Sequence, residues 1–308
     1  SGSITVESIL VFKNNGGGMY NISSSPTITN TIFSDNAATN VGGGMYNSIS
    51  SPTITNTTFS GNTATNGGGM YNYFFSSPTI TNTIFSGNTA VQGGGMYNYI
   101  SSSPTITNTT FSGNTANNGG GMYNESSSSP NIRNSILWGN GTEIANVSSS
   151  NPTVSFSIVQ GGYTGATNAN PLFVNPANPA GTDGIHRTAD DGLRLQAGSP
   201  AINAGSNALI PSGITTDITG LFRILNGIVD IGAYENLVCP ASTTLYVDAS
   251  VANTGNGETW ASAFKTLDEA LYVAWNCPDV NRINVATGAY IPSRKPYNTD
   301  GSEMTTTD

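Results

Sequence analysis

The 308 residues carry 9 Lys and Arg against 18 Asp and Glu, a net charge of −9, with only 9% charged residues, where ordinary domains have about 25%. No basic patch accompanies that balance, which excludes nucleic acid and anionic membrane surfaces as partners. No apolar run approaches the ~18 residues of a membrane span, and no signal peptide opens the chain.

Taken from its start, Ile4 to Asn15 already reads as part of a coil, so the chain looks cut from a longer one and an export signal would lie upstream. The next stretch repeats itself. GGGMYN occurs at 16–21, 42–47, 67–72, 93–98 and 119–124, with its methionines (Met19, Met45, Met70, Met96, Met122) spaced 26, 25, 26 and 26 residues apart. Pro26, Pro52, Pro78, Pro104 and Pro130 keep an unbroken interval of 26. A period in the range of 20–50 marks a solenoid or array. Within each unit apolar residues alternate, as in Thr79-Ile80-Thr81-Asn82-Thr83-Ile84-Phe85, with high β-branched content and turn residues on both sides, which predicts short strands. Three glycines and a proline per unit exclude helical repeats. Propeller blades need ~40–50 residues.

The fold expected is therefore all-β, a right-handed parallel β-helix with coils of about 26 residues, each position meeting its own copy about 4.8 Å away. Ile28, Ile54, Ile80, Ile106 and Ile132 form one predicted column. Phe33, Phe59, Phe85, Phe111 and Leu137 form a second, and the five methionines a third. Such phased columns oppose the disorder that a Ser-, Thr-, Asn- and Gly-rich composition would otherwise suggest. Asn36, Asn62, Asn88, Asn114 and Asn140 are expected at turns, with left-handed geometry and amides bonded from coil to coil. Counting from Phe12 to Phe33 makes the first coil irregular, five residues short of the period.

Residues 131–160 read as a sixth, degraded coil and the strand after it. The run PLFVNPA…DGLRLQAGSPAINAG…IVDIGAYE then resembles the tail of bacterial right-handed β-helix surface proteins of the choice-of-anchor type. The GGGMYN and FSGNTA coils are similar to repeats of polymorphic outer-membrane autotransporter adhesins. From Thr244, LYVDASVANTGNGETWASAFKTLDEALYVA resembles the beginning of such a protein. Thr266 and Glu269 form a capping box opening a helix through about Trp275, with Leu267, Ala270, Leu271 and Ala274 as its apolar face, suited to capping a solenoid end. Ile283-Asn284-Val285 would be the first strand of a new coil. Three regions result: β-helix coils at 1–160, a C-terminal tail or cap at 161–238, and at 239–308 the cap-like start of a following unit. Open solenoid ends and neighbouring units make self-association the expected partnership.

Chemistry-bearing residues are few. Asp183, Asp190 and Asp191 are candidate Ca²⁺ ligands, and Asx turns account for them equally well. No other cofactor is expected. His186 reads as a surface loop residue and Asp230 as a buried turn or strand-end acid. Cys239 and Cys277 are candidates for a disulfide in an exported protein. Glycosidases and lyases need paired carboxylates or a base with acidic metal ligands. Equivalent coil positions hold Thr, Asn and Ser instead, so the chain is not expected to be an enzyme. Tyr20, Tyr46, Tyr71, Tyr97 and Tyr123, with Phe74 and Phe75, are expected as an exposed aromatic stripe that meets surface glycans or a partner. The function expected is an extracellular, bacterial cell-surface structural or adhesive segment of a long tandem or filament-forming protein. A carbohydrate-binding module using the stripe is the alternative, and a polysaccharide-degrading enzyme ranks behind both.

Overall fold

A computed structural model describes residues 5–13 and 17–291. Gly16 of the first GGGMYN and the residues after Ile291 lie outside the described residues. The chain divides into two compact units, 1–223 with 229–236, and 224–228 with 237–308.

The first unit is a parallel β-helix. Its coils are built from three strands of three or four residues, such as Met70–Tyr73, Thr79–Thr81 and Ile84–Ser86. Each strand pairs only with its copies in the coils before and after, giving three all-parallel sheets of seven, eight and six strands. Register is like on like: Ile80 pairs with Ile54 and Ile106, Phe85 with Phe59 and Phe111, and Met96 with Met70 and Met122. From Ile28 to Ile132 these three columns are fully buried. The Phe33, Phe59, Phe85 and Phe111 rings stack at 4.9, 4.8 and 4.5 Å. Each buried Ile, Phe or Met contributes roughly 1.5–3 kcal/mol, and each coil supplies one of each.

The first coil corrects the count from Phe12. Val11 pairs with Phe33, and Thr5 pairs with Thr27. Val11 thus holds the phenylalanine position, with a 22-residue interval. The sixth coil has the same shortened interval, since Met122 pairs with Ile144 and Leu137 with Val159.

Asparagine does two jobs that the sequence merged into one. Left-handed backbone falls at Asn30, Asn56, Asn82, Asn108 and Asn134, with φ between 45° and 51°. The column Asn36, Asn62, Asn88, Asn114 and Asn140 is instead interior. Each amide Nδ2 donates to the next Oδ1, as Asn62 does to Asn88 at 2.9 Å, and each backbone N–H donates to that same oxygen. From Asn62 onward the second Nδ2 proton goes to a phenylalanine carbonyl of the preceding coil, Phe33 in the case of Asn62. This chain of amides ends on a carboxylate: Asn140 donates from its backbone and its side chain to the two oxygens of buried Glu143. A second amide ladder, Asn21 through Asn124, ends at Asn146, which donates to the Tyr163 hydroxyl.

The third glycine of each GGG is required by close approach. A Cβ on Gly69 would sit 2.5 Å from the Gly95 carbonyl oxygen and 2.9 Å from the Phe85 ring.

The tail after 160 lies along the flank of the coils. Ile84, Ile136 and Ile158 point outward from the second sheet into a cluster with Phe173, Leu195, Ile218 and Tyr234. Polar clamps fix it to successive coils: Arg187 donates to the Asn56 carbonyl, Asn82 to the Thr216 carbonyl, and Asn134 exchanges two bonds with Ser206.

In the second unit Thr244–Val247 pairs in parallel with Arg282–Val285, and the helix Leu267–Asn276 opens with the Thr266/Glu269 capping box. Its buried side chains are Glu269, Ala270 and Val273; of the expected apolar face Leu267, Ala270 and Ala274 pack into the core of this unit, while Leu271 is exposed. Cys239 and Cys277 are bonded.

Replacing Asn88 by Ala removes acceptors for the Asn62 backbone and side chain and donors to Phe59 and Asn114. Leaving a buried polar group unpaired costs ~1–3 kcal/mol, so Asn88→Ala is expected to lose at least about 3 kcal/mol in a urea melt. An exposed ladder position such as Thr79→Ser should lose less than about 1 kcal/mol.

Candidate functional site

The tyrosines alternate with inward methionines and point away from the core, yet they do not offer a bare stripe. Tyr71, Tyr97 and Tyr123 are only 7%, 4% and 8% exposed, packed with Tyr46, Tyr73 and Tyr99 into their own cluster. Tyr20 and Tyr46 stack face to face at 4.4 Å, and Tyr71, Tyr97 and Tyr123 meet edge to face at 5.0 Å. Most ring faces are therefore consumed by neighbouring coils. Burial raises the Tyr71, Tyr97 and Tyr123 hydroxyls above the usual phenol range, so they remain protonated donors. The Tyr97 hydroxyl donates a hydrogen bond to Glu125. Of the five, only Tyr20 is well exposed, at 64%.

The exposed apolar surface lies one or two residues further on, at the corner after the tyrosine strand. Ile49, Phe74 and Phe75 are 54%, 40% and 60% exposed, Ile100 is half-buried, and all four have left-handed backbone with φ between 51° and 58°. For branched or bulky side chains this conformation is a genuine outlier, at a cost of about 1–2 kcal/mol each. Coil-to-coil backbone bonds impose it, from Phe74 to the Tyr99 carbonyl and from Phe75 to the Ile100 carbonyl. The same corner in other coils carries Ser23, Ser126, Ser127, Ser148 and Ser149. Large apolar residues thus occupy a strained, solvent-facing position that serine fills elsewhere. Their signal in the sequence was the departure from serine, visible when the coils are aligned.

The three aspartates suggested for Ca²⁺ do not converge. Asp183 accepts the Ile185 N–H in an Asx turn. Asp190 accepts from Thr182, Asp183 and Thr188, hydrogen bonds that hold its carboxyl well below the usual range. Asp191 is buried and accepts from the backbone of Arg187 and Thr188 and from the Tyr234 hydroxyl. Among the described residues no group of three or more His, Cys, Asp or Glu is arranged to hold a metal. His186 is half-buried rather than a surface side chain, and burial lowers its pKa.

A buried charge network in the tail was not foreseen. Arg223, fully buried, pairs with Glu235 at 2.5 Å and donates to the carbonyls of Ala233 and Asp230 and to Asn82. Asp230 accepts the N–H groups of Asn203 and Asn236, and Asp217 accepts those of Thr219, Leu221 and Glu235. Burial holds Asp217 and Glu235 above the carboxylate range and pushes Asp230 up to about 6. One guanidinium serves three buried acids, which lock the VDIGAYE segment against the coils.

A family model described as a right-handed beta helix region matches residues 44–170. The sheet topology and this match agree. This is a right-handed parallel β-helix protein. No curated protein matches the chain. A solved structure similar to it is that of pectate lyase Pel9A, 18% identical, covering 75% of this chain and 59% of that one with a TM-score of 0.44. The chain thus spans less than two thirds of that enzyme's length. The expectation that the chain is not an enzyme is corrected by this finding.

Among the described residues no helix is long and apolar enough to cross a membrane.

The buried acids set a pH dependence of unusual sign. A carboxyl whose folded pKa is raised holds a proton that the unfolded chain has released, so its stabilisation is present below the unfolded value and lost as pH rises through the folded one. For Asp230 that window runs from 3.8 to about 6. Between pH 3.8 and about 6 the stability obtained from urea melts should therefore fall as pH rises, by up to about 3 kcal/mol for Asp230. Asp190, shifted the other way, loses its contribution only at lower pH. Asp230→Asn should flatten the slope whatever its effect on overall stability.

Proposed function

We propose that this chain is a rigid extracellular scaffold, a structural and adhesive segment of a longer tandem surface protein. The observation that carries the reading is the corner Ile49, Phe74, Phe75 and Ile100, where apolar side chains are displayed to solvent at a backbone cost. Residues kept in strained conformations point to function, and exposed apolar patches on a soluble frame usually meet a partner. The coil stack supplies what adhesion under load requires, since every strand between the end strands of each sheet is bonded on both sides to its copies and no long loop interrupts the columns. The bond between Cys239 and Cys277 supports an oxidising, extracellular compartment. The tail motif and the cap-like second unit support the tandem reading through their resemblance to β-helix surface proteins.

Negative-stain electron microscopy of the purified chain is expected to show stiff rods one solenoid wide, unchanged by a calcium chelator. Beads coated with the chain should adhere to bacterial cell-wall fragments, and beads coated with Phe74→Ser/Phe75→Ser should adhere several-fold less. Flexible or collapsed particles would overturn the scaffold reading, and equal adhesion by both bead types would remove the corner from it.

A further inference from the structure

The corner ridge also carries information about what it meets. It comprises Ile49, Phe74, Phe75 and Ile100, bordered by the half-buried Tyr73 and Tyr99. Phe74 and Phe75 meet edge to face at 5.0 Å, and Tyr73 lies 5.9 Å from Phe74 and 5.8 Å from Tyr99. The result is an apolar shelf spanning three coils, with its aromatic rings on two of them and two tyrosines at its border.

Charge narrows the occupant. From Asn14 to Ile132 there is no Lys or Arg, and the acids are Asp35 and Glu125. Glu125 is already bonded to the Tyr97 hydroxyl. An anionic polymer would find no cation on this wall, and a cationic one would find no free carboxylate beside the shelf. Size narrows it further. Three coils at about 4.8 Å spacing give a patch on the order of 300 Å², well below the roughly 800 Å² per partner of a stable protein interface. The ligand must be uncharged and narrow, with apolar C–H faces for the rings and hydroxyls for the rim.

We infer that the ridge at Ile49, Phe74, Phe75 and Ile100 binds an uncharged polysaccharide laid across coils two to four, its sugar faces on the phenylalanines and its hydroxyls on Tyr73 and Tyr99. This rests on the adhesive reading above and names the chemical class that the same corner recognises. Nearby rings whose faces are taken up by coil stacking contribute frame rather than contact. The tyrosine ladder therefore supports the site, and the two phenylalanines make it.

Affinity electrophoresis tests this with the whole chain in gels cast with a soluble β-glucan, a galactomannan, a xylan or polygalacturonate. Retardation is expected in at least one neutral gel and not in polygalacturonate. Phe74→Ser/Phe75→Ser should weaken it at least tenfold. Serine occupies the equivalent positions 126 and 127 with the same backbone, so the variant is expected to keep its far-ultraviolet circular dichroism and melting point. Tyr20→Ser, away from the shelf, should bind as the parent does. No retardation in any neutral gel, retention in polygalacturonate alone, or undiminished binding by the double variant would each overturn the inference. So would a dimer in sedimentation velocity that the double variant abolishes, because a second copy would then be the occupant. Bead adhesion that persists while every neutral gel is negative would overturn the glycan and leave the scaffold standing, whereas loss of the rods themselves would overturn the scaffold.

Discussion

Everything in the first unit depends on one constraint: each residue must fit on its own copy at a single strand spacing. A side chain that stacks well on itself satisfies this in every coil at once, and a poor one fails in every coil. Isoleucine, phenylalanine and methionine meet it by filling columns whose members are wholly buried. Asparagine meets it differently, because its amide is both donor and acceptor and can pass hydrogen bonds indefinitely in one direction. The amides of the two interior ladders are thus linked coil to coil without a single charge along the stack. The charge appears where the series stops, at Glu143, which accepts without needing to donate.

The same constraint shapes the outside. Tyrosines in register pack on one another, so the wall that looks most like a binding surface is partly sealed by its own regularity. Departures from the repeat are what remain available. The corner of coils two to four departs most, replacing serine with isoleucine and phenylalanine where the backbone is left-handed. In the tail, departures take the form of burial: Arg223, Asp217, Asp230 and Glu235 form a charged core beside a coil wall that has almost none.

Period and alternation were legible in the sequence because they are local properties of one chain segment repeated. They gave the sheets, the three core columns and the coil length, and the capping box located the helix start. Three things were not legible. The identity of Val11 as the first member of the phenylalanine column was hidden by the neighbouring Phe12, since a one-residue difference reverses inside and outside. Leu271 was assigned to the buried helix face because helical spacing allows it, whereas the buried apolar positions are Ala270 and Val273. The tail's placement along the flank depends on contacts separated by up to 141 residues, such as Arg223 to Asn82, and no local pattern encodes them. The aspartates of GTDGIHRTADDG show the opposite limit. Their spacing was equally compatible with two chemistries, and backbone donors took the oxygens.

The clamps between tail and coils bear on how such a gene can vary. Near-identical units of 26 residues invite duplication and loss by unequal exchange, and a coil added within the stack would simply lengthen the rod by one step. The tail, however, grips the coils at Asn56, Asn82 and Asn134, so the number of units between the first and last of these is measured by a part of the chain that does not repeat. Units can be gained or lost without moving these clamps only on the side of Asn56 that precedes the tail's reach. There a lineage can extend or shorten its rod freely, while the gripped coils, and the corner they share with it, stay constant in number.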